Sequence, residues 1–99
     1  MSSFVCLLEA RLHFGASHDL KSKRKQLKSL KEGLRHRFGA AVAETGGHDS
    51  WQRTTLLIAL VGDAAIEARA DEIERFIELR CPNGCGFDRT LRSLEDLTD

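Results

Sequence analysis

Residues 4–39 read FVCLLEARLHFGASHDLKSKRKQLKSLKEGLRHRFG, and the hydrophobic period changes halfway along. In the first part Leu8, Ala10, Leu12 and Phe14 alternate with Glu9, Arg11 and His13. That period of two marks a strand with one buried face, running from Phe4 to Phe14. Gly15 to Asp19 is a short polar connection. Leu20, Leu27, Leu30, Leu34 and Phe38 then recur at helical spacing. Asp19, or alternatively Ser17, offers a side-chain oxygen to a free amide of the first helical turn. Gly39 ends the helix behind Arg35, His36 and Arg37, cations that suit the negative end of the dipole.

Working outward, Ala40 to Thr45 reads as a short strand of small residues, and Gly46 to Ser50 as a turn. Trp51 to Val61 is a second long strand rich in β-formers. Gly62-Asp63 breaks it, with Asp63 placed to cap a helix that carries Ile66, Ala70, Ile73, Phe76 and Ile77 on one side. Pro82-Asn83-Gly84 ends that helix, and Phe87 to about Leu97 is a weaker last strand. The order β-α-β-β-α-β is the split-βαβ, ferredoxin-like plan of the α+β class. Right-handed crossovers predict a four-stranded antiparallel sheet of order 4-1-3-2 with both helices on one face. The first and third strands are the longest and most apolar, as central strands should be. The uncovered face then receives Val5 and Leu7 together with Leu57, Ala59 and Val61. Such a face is either covered, by a homodimer or another partner, or simply exposed.

Length and composition narrow the function classes. Ninety-nine residues of 11.1 kDa make one domain, 1–99. With 41% hydrophobic and 30% charged residues the chain is an ordinary globular mixture, which excludes long disorder. The longest apolar run, Leu56 to Val61, is far too short to span a membrane, and no secretory signal opens the chain. Three cysteines are too few for a disulfide scaffold and point to a reducing cytoplasm.

Net charge is zero, yet the signs are separated. Residues 1–50 hold nine basic and five acidic side chains, a net of +4; residues 51–99 hold six and ten, a net of −4. On the first helix Lys21, Arg24, Lys25, Lys28, Lys31 and Arg35 fall in an arc of about 120° beside the apolar stripe. Lys23 projects into the apolar stripe itself, where it must snorkel or meet an anion. The second helix carries the opposite stripe, Glu67, Asp71, Glu74 and Glu78. The two stripes pair, across helices or across subunits, or are simply solvated surface, or the basic one tracks a phosphate backbone.

The topology gathers His13, His18, His48, Asp49, Trp51, Cys81 and Cys85 at one end, beside the start of the basic helix. A helix start near Lys21, Lys23 and Arg24 can hold an anion, although an Asp19 cap competes for the same amides. Cys81 and Cys85, with His13 and His18, supply a tetrahedral zinc set by residue type, a weak signal without a second cysteine pair. No cofactor is expected, and Cys6 reads as a small hydrophobe of the core. Neither a G-x-S-x-G elbow nor a P-loop occurs, and no nucleophile is placed against His48-Asp49. Base stacking on the central strands is disfavoured, because Glu9, Arg11 and His13 on the open face supply no Phe, Tyr or Trp ring.

The residues thus favour a non-enzymatic, cytoplasmic module that binds structured RNA or a ribosomal particle. Lys21, Lys23, Arg24, Lys25, Lys28 and Lys31 would meet phosphates, with Trp51, Gln52 and Arg53 as a neighbouring surface. The alternatives are a homodimeric protein-interaction module and a small anion- or metal-binding module at the His/Cys-rich end. Three segments bear on the choice: Asp19-Leu20-Lys21-Ser22-Lys23-Arg24, then Arg37-Phe38-Gly39-Ala40-Ala41-Val42-Ala43-Glu44, then Asp49-Ser50-Trp51-Gln52-Arg53. In this order they resemble the YlxP-like family of small bacterial proteins of unknown function, over roughly Phe4 to Leu79. The resemblance implies a ferredoxin-like fold. It also implies a role in translation or ribosome maturation, because members are often encoded beside initiation and ribosome-binding factors. Gly39 in place of the family's Asn, and the Cys81-to-Cys85 loop, depart from the pattern.

Overall fold

Alternation along the first apolar stretch produces β1 (Phe4–His13), whose even-numbered residues from Cys6 to Leu12 are buried. The computed structural model describes residues 3–15 and 19–98. After β1 come α1 (Leu20–Phe38), β2 (Ala41–Gly46), β3 (Arg53–Gly62), α2 (Ile66–Arg80), β4 (Cys85–Ser93) and α3 (Leu94–Thr98). The sheet order is β2-β3-β1-β4, which is 4-1-3-2 read from the other edge. Each neighbouring pair is antiparallel. This is the ferredoxin-like plan read from the hydrophobic periods.

Local chemistry sets both ends of α1. Asp19 accepts the Ser22 amide at 2.7 Å, and Ser17 lies outside the described residues. Gly39 adopts φ 64°, where a Cβ would be strained. Its N–H donates to Arg35 O at 3.0 Å and that of Ala40 to Leu34 O at 3.4 Å, closing the last turn.

Three expectations need correction. The last strand begins at Cys85 rather than Phe87 and stops at Ser93, where α3 replaces the expected strand to Leu97. Ser93 and Asp96 explain the stop. Ser93 Oγ accepts the Asp96 amide at 3.1 Å, and the Asp96 carboxylate accepts the Ser93 amide at 3.3 Å, a reciprocal capping box. Asp63 does not cap α2. Its carboxylate accepts the Ala65 amide at 2.9 Å and so holds the preceding turn, and the helix begins three residues after it at Ile66. Trp51 and Gln52 precede β3 instead of opening it.

The helices pack on one face of the sheet over a single apolar cluster. Leu27, Leu30, Leu34 and Phe38 of α1, with Ile66, Ala70, Ile73, Phe76 and Ile77 of α2, meet Leu8, Ala10, Leu56 and Ile58 there. Between the helices the decisive pair is Gly33 and Phe76: a Cβ at Gly33 would lie 2.6 Å from Phe76 Cζ. Phe76 also meets Phe38 edge to face, with centroids 5.4 Å apart and planes at 81°. The guanidinium of Arg80 covers its outer face at 3.6 Å.

Candidate functional site

The charge stripes do not pair with each other. Among the described residues no ion pair joins α1 to α2. Arg89 of β4 takes the acids of α2 instead, donating to Asp71 at 2.9 Å and to Glu74 at 2.7 Å. Its position accounts for this. Arg89 sits opposite Leu8 in the β1–β4 register and therefore emerges on the helix side of the sheet, under α2. The sequence carries a signal for it, since Phe87 and Leu91, two residues away on either side, are the core-packed positions of β4.

The lysines of α1 are left facing outward. Lys21, Arg24, Lys25 and Lys28 are exposed, Lys31 is half-buried, and none of the five takes part in an ion pair among the described residues. Arg35, at the far end of the stripe, donates to Val42 O of the edge strand at 3.0 Å. The basic surface is therefore concentrated on the first three turns of α1.

Lys23 differs from its neighbours, and its expected contact with phosphate is corrected. Only 2% of it is exposed. Its ammonium donates to Gly47 O and Ser50 O, both at 2.5 Å, so two backbone carbonyls of the β2–β3 turn occupy the charge. Desolvation by burial lowers its pKa from 10.5, Glu44 and Asp49 work in the opposite direction, and Arg24 adds to the lowering. Chemically this is a latch. It fastens the start of α1 to the turn that presents Trp51, Gln52 and Arg53.

Those three residues are all exposed, Trp51 to 51%. Besides the latch, a hydrogen bond from Phe14 N to Gln52 O at 2.6 Å holds the segment to the end of β1. Arg53 lies opposite His13 in the β1–β3 register, on the open face, whereas Glu44 lies opposite Leu56, on the helix side. Glu44 lies 4.0 Å from His48 instead. The Asp19 cap already takes the Ser22 amide, which removes one donor from the anion site expected at the helix start.

At the same end the chain forms two clefts. One, of about 400 Å³, is bordered by His13, Arg53, Asn83 and Cys85. The other, of about 340 Å³ between the helices, has Phe14, Leu30 and Cys81 in its lining with Lys25 and Arg80 beside them. The cysteines are thus divided between clefts, and His18 lies outside the described residues. Among the described residues no three His, Cys, Asp or Glu converge on one point, so the weak zinc signal of His13, Cys81 and Cys85 gains no cluster there. All three cysteines are free thiols, and burial pushes Cys81 up to about 11, with Cys85 as the second cause. No helix of the described residues is long and apolar enough to cross a membrane.

Comparison with solved structures supports the fold. The chain is similar to the de novo designed protein Foldit4, with TM-score 0.55, 15% identity, and coverage of 91% of this chain and 96% of that one. The designed protein Ferredog-Diesel gives 0.53, 16%, 89% and 83%. LarC2, the C-terminal domain of a cyclometallase involved in the synthesis of the NPN cofactor of lactate racemase, gives 0.53 and 17% in its apo form. There the alignment covers 93% of this chain and 58% of that one. At these identities the likeness is one of fold alone. No protein with a curated description matches the sequence. A family model does match residues 5–83, well over half of the chain. The chain belongs to the DUF503 family, described as a protein of unknown function.

Proposed function

We propose that this protein is a non-enzymatic, cytoplasmic factor that binds structured RNA, free or within a ribosomal particle, by the phosphate backbone. Lys21, Arg24, Lys25 and Lys28 form the contact face, Lys31 extends it, and Trp51, Gln52 and Arg53 flank its start. One observation carries the reading. Among the described residues Lys21, Arg24, Lys25, Lys28 and Lys31 take part in no ion pair, while Arg89 engages two acids of the opposing stripe. Uncompensated cations in a row need only reach and charge to meet successive phosphates. The resemblance of the segments around Lys21, Phe38 and Trp51 to the YlxP-like family adds support, through that family's association with translation genes. Lys23 contributes indirectly, by holding the Trp51 segment beside the cationic row.

Fluorescence anisotropy with a labelled ribosomal RNA fragment, titrated with salt, tests this. Binding should weaken steeply between roughly 50 and 200 mM salt. Lys25→Glu with Lys28→Glu should weaken binding by about tenfold or more and flatten the salt slope by about two contacts, with unchanged circular dichroism. Equal affinity in the double variant would remove α1 from the interface.

A further inference from the structure

The sheet face away from the helices has a second use. Val5 pairs with Val61, Leu7 with Ala59, and Leu57 with Ala43, so the register makes one contiguous apolar area across three strands. Leu7 is 39%, Leu57 37% and Val61 72% exposed. The other half sets Glu9 and Asp88 against Arg11 and Arg53, with Arg11 donating to Asp88 at 2.6 Å and to Glu9 at 3.2 Å, while Arg92, opposite Val5, places one cation on the edge strand beside the apolar area.

We infer that this face is the interface of a symmetric homodimer, two sheets stacked face to face about a two-fold axis parallel to the strands. Three arguments select a second copy as the occupant. The first is charge. In the polar half Glu9 and Asp88 offset Arg11 and Arg53, so an identical face meets it without net repulsion, whereas a polyanion finds scattered rather than aligned cations on this face. The second is alignment. A two-fold along the strands lays apolar half on apolar half and balanced half on balanced half, an isologous contact that closes. The third is area. Strands of ten, six, ten and nine residues, at about 3.3 Å per residue and 4.8 Å apart, present roughly 550 Å² a side. That is about 1,100 Å² in all, just above the roughly 1,000 Å² that a specific interface needs. Leu94 borders the same apolar end beside Val5 and Val61 and enlarges it. The helices lie outside in this arrangement, so each dimer carries two α1 basic faces pointing in opposite directions. The dimer would cover Arg53 on the open face, leave the α1 row with Trp51 and Gln52 accessible, and make RNA binding bivalent.

Sedimentation equilibrium over roughly 1–300 µM protein decides the matter. The expected mass approaches twice the 11.1 kDa of one chain, unchanged or tightened in about 1 M salt because apolar contact is not screened. Val61→Glu should raise the dissociation constant by about a hundredfold or more; its exposure makes it safe for the core. Leu7→Lys should do the same, with helical circular dichroism retained in both. A monomer at the highest concentration overturns the inference, as does a dimer that survives Val61→Glu. A dimer that dissolves in salt also overturns it and assigns association to the charged stripes instead.

Discussion

Lys23 is buried, and its ammonium fastens the start of α1 to the β2–β3 turn through Gly47 O and Ser50 O. Its spacing to Leu27, Leu30, Leu34 and Phe38 continues the apolar stripe, so its burial is written in the sequence. What it touches is not, because Gly47 and Ser50 are more than twenty residues away. A backbone carbonyl accepts an ammonium proton as a phosphate oxygen does, and residue type alone does not separate the two. Lys23→Met should cost about 1–3 kcal/mol in urea unfolding, because two turn carbonyls lose a charged donor. It should also weaken RNA binding less than Lys25→Glu with Lys28→Glu does. Cys81 supports a prediction of pH dependence. Its thiol titrates at about 11 when folded against 9.0 ordinarily, so above pH 9 the unfolded chain releases a proton that the folded one keeps. Stability present below pH 9 is then lost towards pH 11, at up to about 1.4 kcal/mol per unit. Cys81→Ala should make the alkaline limb of a pH-resolved urea series shallower. An identical limb would place the titration elsewhere.

At the scale of elements, the helices are held by shape rather than by charge. Gly33 admits Phe76, and the cations around that ring, Arg37 and Arg80, stack on its faces without meeting the acids of α2. Gly33→Val should therefore destabilise by about 1–3 kcal/mol in chemical denaturation, with the overpacking outweighing any relief of glycine's backbone entropy. A neutral result would mean that α1 and α2 can slide apart freely. The same contact explains why helical wheels mislead about the stripes. A wheel gives the angle of Lys28 or Glu74 about its own axis, whereas the partner depends on how the helices lie over the sheet. Here α2 presents Asp71 and Glu74 to Arg89 of β4, a strand whose alternation points that arginine inward. The α3 helix was legible locally, since Ser93-Leu94-Glu95-Asp96 has capping-box spacing, but the apolar alternation before it favours continuing the strand.

For the whole molecule, zero net charge conceals two surfaces of different chemistry. One is the α1 row, cationic and without ion pairs among the described residues; the other is the open sheet face, apolar over three strands at one end and carrying both signs of charge at the other. Salt separates their uses, since phosphate binding decays as salt rises and stacking of apolar sheet faces does not. The βαββαβ order, the central position of β1 and β3, the buried helix stripes and the apolar open face all follow from the sequence. They depend on period and polarity, properties that each segment carries by itself. Charge pairing, the latch on Lys23, the division of the cysteines between two clefts and the exposed Trp51 before β3 were decided only by the tertiary structure. Each depends on the distance between atoms far apart in the chain, and that distance is set by how the helices and the β2–β3 turn come to rest on the sheet.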